Sequence, residues 1–406
     1  MIQACGRLAK RRLWGRHESL RGAEGERATA RNREASPACG ASSEQHTLCK
    51  VKETRQNMEV GGFIMVKTTI AIGMATWALA AGISFPHPIP SRIQVIGAAS
   101  APPVGPGPGT LSDWSWGDKS ARTVSFAPAN HPASNSFYVA YDGASQEIYV
   151  PTAGGTTILL NRRTLKPVAS FPSLVGGRVA RVTPNHEMVL ELSASGLVAY
   201  STGLRHQRLF SQSVGGNAVT ISPNGQDAFI GGNMDSTVTE VSLPSGRIVR
   251  TYPVRQSGDL VWADGQVFSA NIQTGVLTAI HPNTGTITPI ATPEVDPTFS
   301  YKDISQATAG FMQLAISPHQ GYVYAAGFSG HILRFSAQRD TYLGEVAVHA
   351  NPQGPDRLSG LAVLPGGKTA VVTVENLKET ALVKLGSGKI LQLLPGVTSN
   401  RWITVR

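Results

Sequence analysis

Arginine and asparagine side chains recur at one position of a unit that repeats along this chain. Arg178, Asn217 and Arg401 stand at that position, and Arg357 lies slightly earlier in its own unit. Guanidinium and amide groups donate several hydrogen bonds, and arginine pairs well with carboxylates and other anions. Arranged in a ring, these four side chains would surround a channel mouth and bind an anionic ligand. The alternative is that they are polar strand ends that bond to loop carbonyls.

A second group of chemically capable side chains lies in the longest insertion between repeats, Glu294–Gly310. Tyr301, Lys302 and Asp303 are its best candidates for contacting a ligand. Long loops in compact domains are often functional, although a simple surface excursion is the competing interpretation.

No catalytic residue is assigned from the sequence. The histidines after the leader have no His-x-His or His-x3-His spacing, so we predict no metal site. His186 and His319 occupy predicted turns. No Gly-x-Ser-x-Gly motif and no glycine-rich phosphate loop is present, and the paired glycines fall at repeat boundaries. We therefore expect no cofactor.

The elements that must position these residues are short strands. Between Ser136 and Pro395 a unit of about 40 residues recurs six times, each with four apolar runs separated by Gly, Pro, Asn and Asp. Four strands per unit of this length predict the blades of an all-β propeller. The runs of four to six residues end in turn formers, which excludes a helical interpretation.

The last unit is incomplete, which predicts how the ring closes. Arg401–Arg406 aligns with the first strand of a unit, and the sequence then ends. A lone strand needs partners, because an open propeller leaves two bare sheet edges. We therefore expect residues 93–130 to supply the other strands, with Thr123–Phe126 the best candidate, giving seven blades. Six blades are the alternative.

The N-terminal part differs from the rest in composition. Residues 1–64 hold all three cysteines and a basic excess, which indicates a mis-assigned start or a disordered basic leader that binds nucleic acid. Met65 begins a pattern typical of a bacterial export signal: a short basic segment, an apolar stretch at 68–85 and a cleavage sequence at Ala78–Ala80 or near Ala98–Ser100. An uncleaved membrane anchor is the alternative.

The predicted organisation is therefore a leader at 1–64, a signal peptide at 65–100, a Pro/Gly linker at 101–110 and a propeller at 111–406. The exported part has no cysteine, which excludes disulfides, thiolate metal sites, cysteine nucleophiles and covalent haem attachment. Its low charge suits an acidic exterior or, equally, a lightly charged secreted β protein.

The repeat resembles that of YVTN-type propellers, also described as YncE-like or surface-layer-like proteins. The matching segments are Ile221-Ser-Pro-Asn-Gly225, Tyr322-Val-Tyr-Ala-Ala326 and Arg250-Thr-Tyr-Pro-Val254, and the resemblance covers about Ser136 to Arg406. It implies a seven-bladed propeller and says little about activity, because propellers host many unrelated functions.

Two functions follow. The first is a periplasmic or secreted, non-catalytic propeller that binds or scaffolds a protein or cell-envelope ligand through its loop-rich channel face, with no nucleic-acid partner. The second is an extracytoplasmic enzyme, either lactonase-like or a redox-associated dehydrogenase-like subunit. Two or more carboxylates or histidines within hydrogen-bond reach at the channel mouth would favour the enzyme.

Overall fold

Seven four-stranded antiparallel sheets make up the described part of the chain. The computed structural model describes residues 94–99, 110–115, 122–125, 138–203, 206–232, 234–299, 306–350, 356–377, 379–395 and 402–405. The chain divides into two units, Met1–Gly82 and Ile83–Arg406, and all described residues belong to the second.

Three strands precede the regular repeats: β1 (Gln94–Ala99), β2 (Thr110–Ser115) and β3 (Arg122–Ser125). Blades one to three then comprise β4 (Ala140–Asp142), β5 (Glu147–Pro151), β6 (Gly154–Asn161) and β7 (Pro167–Val175); β8 (Gly177–Val182), β9 (Met188–Ser193), β10 (Leu197–Ser201) and β11 (Arg208–Gln212); and β12 (Ala218–Ile221), β13 (Asp227–Gly231), β14 (Val238–Ser242) and β15 (Ile248–Tyr252).

Blades four to six comprise β16 (Ser257–Ala263), β17 (Gln266–Asn271), β18 (Val276–His281) and β19 (Thr286–Ile290); β20 (Phe311–Ile316), β21 (Tyr322–Gly327), β22 (His331–Ser336) and β23 (Thr341–Ala347); and β24 (Leu358–Val363), β25 (Thr369–Val374), β26 (Glu379–Lys384) and β27 (Ile390–Pro395). The last strand is β28 (Trp402–Val405).

The predicted closure is confirmed. The composite seventh blade has the strand order β28-β1-β2-β3, so the C-terminal strand is its innermost member. Ile403 pairs with Gly97, and Thr123 lies in one of the partner strands, as predicted; this strand, β3, is the outermost. Leu111 of this blade belongs to the same buried cluster as Val139 and Ile148 of blade one. The propeller therefore has seven blades, and the six-bladed alternative is wrong.

The propeller also begins earlier than residue 111. β1 at Gln94–Ala99 lies within the segment assigned to the signal peptide, and residues 101–109 join β1 to β2 in sequence. The physical reason is that β28 requires β1 as its hydrogen-bonded neighbour. Residues 1–93, including the predicted leader and the apolar stretch at 68–85, lie outside the described residues.

Burial follows the position of each strand within its blade. The second strand of blade three is buried over four of its five residues, whereas the fourth strand exposes Ile248 and Val249. Valine, isoleucine and leucine suit central strands because neighbouring blades cover both faces. Among the described residues there is no α-helix, as predicted. None of these segments forms a helix long and apolar enough to cross a bilayer.

The inner strands that line the channel contain register irregularities. The register between the first and second strands shifts at Gly177/Val179, Ser257/Asp259, Phe311/Leu314 and Leu358/Leu361, in blades two, four, five and six. A β-bulge bends its strand and redirects a side chain. Polar residues at these bulges therefore leave the ladder and become available to neighbouring blades.

Candidate functional site

Two polar residues at the bulges join blades around the channel. In the repeat alignment Asp259 and Gln313 stand one residue after the position of Arg178 and Asn217. The position named in the sequence analysis is therefore adjacent to these two residues. A signal was present, since a carboxylate and an amide interrupt the otherwise apolar inner strands at Gly258-Asp-Leu-Val261 and Met312-Gln-Leu-Ala315.

Asp259 connects three blades. Its Oδ2 accepts hydrogen bonds from the Tyr138 hydroxyl of blade one at 2.7 Å and the Leu314 amide of blade five at 2.8 Å. Its Oδ1 accepts from the Leu260 amide at 2.9 Å. The residue is 1 % exposed. The inner strand of a blade is a sheet edge with unpaired amides, and this carboxylate satisfies one of them.

Arg181 completes this polar layer. Its guanidinium carbon lies 3.7 Å from the centroid of the Tyr138 ring, which is a cation–π contact. Burial raises the pKa of Asp259 to about 6, although Arg181 and the three hydrogen bonds act to lower it. Burial and the neighbouring Asp259 also raise the pKa of Tyr138, so its hydroxyl remains a donor.

Gln313 performs the same task between blade five, blade six and the composite blade. Its Oε1 accepts from the amides of Leu361 and Ile403, both at 2.8 Å, and its Nε2 donates to the Ile403 carbonyl at 2.8 Å. One side chain of blade five thus holds blade six and the composite blade. It is 4 % exposed, and its amide oxygen and nitrogen are both engaged.

The predicted channel residues are placed in three different blades. Asn217 is buried, and its Nδ2 donates to the Gly258 carbonyl of blade four at 3.1 Å. Arg178 is half-buried at the start of β8, and its carbonyl accepts from the Tyr138 amide. Arg357 lies 3.4 Å from Glu375 (Nε to Oε2) and 4.6 Å from the Phe328 ring centroid. Arg401 lies outside the described residues.

The insertion after β19 is anchored at its base by two carboxylates. Glu294 Oε2 accepts from the Gly310 amide at 2.8 Å, and Asp296 accepts from the amides of Thr298 at 2.8 Å and Thr308 at 3.0 Å. Phe299 and Ala307 join a buried apolar cluster that includes Ile272, Met312 and Phe328. Tyr301, Lys302 and Asp303 lie outside the described residues.

Hydrogen bonding and burial set the pKa values of these two carboxyl groups in opposite directions. Hydrogen bonds, first from the Thr298 side chain, lower the pKa of Asp296 to about 2. Burial raises the pKa of Glu294 to about 7, against bonds from Ser329 and Gly310 that lower it. A side chain at position 327 would displace the Glu294 carboxyl group, because a Cβ there would lie 2.3 Å from Glu294 Oε1.

Glu294 begins a chain of polar side chains that the sequence did not indicate. Its Oε1 accepts from the Ser329 hydroxyl, which is 2.8 Å from His331 Nδ1. His331 Nε2 lies 3.8 Å from Glu345 Oε1. Because the hydroxyl proton of Ser329 points to Glu294, this geometry suits the anchoring of the insertion better than activation of a nucleophile.

One more carboxyl group is buried between blades one and two. Glu191 of β9 is fully buried and accepts a hydrogen bond from the Thr157 hydroxyl of β6. Burial raises its pKa to about 7, against hydrogen bonds from Thr157 and Ser173 that lower it. It is therefore protonated in a large fraction of molecules at neutral pH.

The remaining described histidines serve turns and blade contacts. His186 and His319 lie in turns, as predicted, and His186 Nδ1 is 2.7 Å from Asp142 Oδ1. His281 Nε2 is 2.9 Å from Asp340 Oδ2, and His206 stacks on Phe171. In the described parts of the chain, no group of three or more His, Cys, Asp or Glu side chains is arranged to hold a metal ion.

Comparison with known proteins supports the architecture. Many solved structures share this fold. One is hydrazine synthase from Kuenenia stuttgartiensis, with a TM-score of 0.54 and 12 % identity over 65 % of this chain and 87 % of that chain. Similarity at this level of identity shows a shared fold alone. No protein-family model and no curated protein sequence matches the chain. The fold and the site thus define a seven-bladed β-propeller with a hydrogen-bonded channel layer.

Proposed function

We propose that this protein is an exported, non-catalytic propeller that binds a protein or cell-envelope ligand through its loop-rich face. That face carries the connections from strand two to strand three and from strand four to the next blade. The observation that carries the proposal is the exposed apolar surface of the loop-rich face. Met234 and Val175, at 86 % and 79 %, are the most exposed large apolar side chains of the described residues, and Val295 is also exposed. All three lie on this face.

The polar groups of the channel support a structural role for the channel layer. Asp259, Gln313 and Asn217 use their side-chain atoms to join their own blades to others. The insertion is also held in place at its base and through Phe299. A rigid surface loses little conformational entropy on binding, which favours affinity. Contiguous apolar patches with a polar rim are typical of protein-binding surfaces.

Export and family membership belong to the same proposal. The segment beginning at Met65 acts as a signal peptide, and the propeller is a YVTN-type, YncE-like repeat protein of the periplasm or cell exterior. Cleavage at Ala78–Ala80 is the preferred site, because cleavage near Ala98–Ser100 would cut through or directly after β1, which pairs with the C-terminal strand.

The proposal is tested by binding to a bacterial envelope fraction. A variant with Val175→Ser, Met234→Ser and Val295→Ser should lose the partner that the wild-type protein retains, since contact area on the face is removed. The matched control carries Ile248→Ser and Val249→Ser, which are exposed on the outer strand of blade three. Equal retention by both variants would contradict the proposal. So would hydrolysis of an added substrate by the pure protein.

A second candidate function, a lactonase-like hydrolase, is favoured by the Ser329–His331–Glu345 chain alone. Its test is turnover of a panel of lactones and carboxylic esters by the wild-type protein and Ser329→Ala. Activity that disappears in Ser329→Ala would replace the binding proposal. Activity that persists in this variant would exclude Ser329 as its nucleophile.

A further inference from the structure

A cavity lies in the channel beside the polar layer formed by Tyr138, Arg181, Asp259 and Gln313. Its volume is about 480 Å³, within the range of roughly 300–1,000 Å³ typical of small-molecule sites. Most of its lining comes from the middle and later residues of the inner strands of blades one, two, four, five and six. Apart from Tyr138, Arg181 and Gln313, the lining includes the apolar residues Val261, Ile316, Ala362, Val363 and Ile403.

The walls of the cavity are mostly apolar, and the charge within them is positive. Of the described residues that line it, Arg181 is the one that carries a charge. Its guanidinium stacks on the Tyr138 ring, which fixes the plane of the group. Among the described residues Arg181 forms no salt bridge, but its guanidinium is attracted to Asp259 and interacts with the Tyr138 hydroxyl.

Asp259 carries the negative charge that acts on Arg181, and its carboxylate oxygens already accept hydrogen bonds. Its two oxygens accept from Tyr138, Leu314 and Leu260, and only 1 % of the residue is exposed. A ligand in the cavity therefore meets the guanidinium rather than the carboxylate. Arg181 is only partly buried, so part of its side chain remains open to the cavity.

We propose that this cavity binds a small organic monocarboxylate with an apolar body, such as a medium-chain fatty acid or an aromatic acid. The carboxylate pairs with the N–H groups of Arg181, and the apolar body lies against the inner strands. A planar guanidinium matches a carboxylate with two parallel hydrogen bonds. A dianion or a cation would leave uncompensated charge against apolar walls, which is costly.

This site is separate from the loop-rich face in the proposed function, and either proposal can fail without the other. The direct test is isothermal titration calorimetry of the full chain with octanoate and, as the charge control, octylamine. We expect saturable binding of octanoate and none of octylamine. Octylamine binding as tightly as octanoate, or no heat from octanoate at millimolar concentration, would overturn the proposal.

Substitutions test whether octanoate binds in this cavity. Arg181→Gln should weaken octanoate binding at least tenfold, whereas Arg334→Gln should leave it unchanged, because Arg334 stacks on Tyr322 outside the cavity. Ala362→Phe should abolish binding by filling the cavity without changing its charge. If Arg181→Gln does not fold, as judged by circular dichroism, Ala362→Phe and the octylamine control still decide. Undiminished octanoate binding by Ala362→Phe would place the ligand elsewhere and refute the assignment.

Discussion

Asp259 is a carboxylate with a structural role in the channel of the propeller. It is buried, and it accepts hydrogen bonds from residues of blades one, four and five. A buried acceptor that satisfies two backbone amides is costly to replace, because each amide would then lack a partner. Asp259 therefore contributes to the stability of the ring.

Asp259→Asn should lower the free energy of unfolding by about 2–4 kcal/mol, since the new amide group cannot accept at both positions. Tyr138→Phe should cost about 1–2 kcal/mol, and the double variant should cost less than the sum. Urea unfolding measures all three. The control is Asp264→Asn, an exposed turn residue expected to change stability by less than about 0.5 kcal/mol. Equal effects at positions 259 and 264 would contradict the role given to Asp259.

Glu191 offers a second test at the scale of the residue. Burial raises its pKa to about 7, so the folded state binds its proton more tightly than the unfolded chain does. Its contribution to stability is fully present below pH 4.5 and is lost as the pH rises towards 7. Glu191→Gln should therefore weaken the dependence of stability on pH between 5 and 7 by about 2–3 kcal/mol. Glu187→Gln is the exposed control, and an unchanged pH profile in Glu191→Gln would refute the assignment.

At the scale of the element, the C-terminal strand β28 closes the ring. β28 supplies the inner strand of the composite blade, and its Ile403 exchanges hydrogen bonds with Gln313 of blade five. The ring is thus closed both by backbone pairing with β1 and by one side chain from two blades away.

A chain that ends at Asn400 should lose about 3 kcal/mol or more of stability, because β1 becomes a bare edge and the buried Ile403 is removed. Thermal unfolding followed by circular dichroism measures the loss. Gln313→Leu should destabilise the full chain more than the shortened one, since two of its three bonds go to Ile403. Additive effects of the two changes would show that Gln313 does not act through β28.

At the scale of the whole molecule, stability depends on pH through two sets of carboxyl groups with opposite pKa shifts. Burial raises the pKa values of Glu191 and Glu294 to about 7 and of Asp259 to about 6. Hydrogen bonds lower the pKa of Asp296 to about 2, and hydrogen bonds to Asp142 outweigh its burial and lower its pKa also. The three carboxyl groups with a raised pKa lose their stabilising protonation as the pH rises through 6 to 7. Asp296 and Asp142 lose their stabilising ionisation as the pH falls below about 4.

We therefore expect the protein to be most stable at about pH 4–5 and to lose stability between pH 5 and 7.5. Denaturant unfolding across this range measures the profile. The triple variant Glu191→Gln, Glu294→Gln and Asp259→Asn should have a flatter profile than the wild type, whatever its absolute stability. A wild-type maximum near pH 7 would contradict the assigned pKa directions.

The sequence by itself determined the architecture: a four-stranded unit, its repetition and the unfinished last copy whose partners lie before residue 130. These features are local, because turn residues and apolar runs of fixed length specify a strand wherever they occur. Only the tertiary structure decided which polar residues meet. Tyr138 and Asp259 are separated by 121 positions in the chain, and their contact depends on the number of blades, the bulges in the inner strands and the closure by β28. A contact between residues so far apart in the chain follows from no local pattern, so the sequence indicated polar residues at the channel without showing which of them meet.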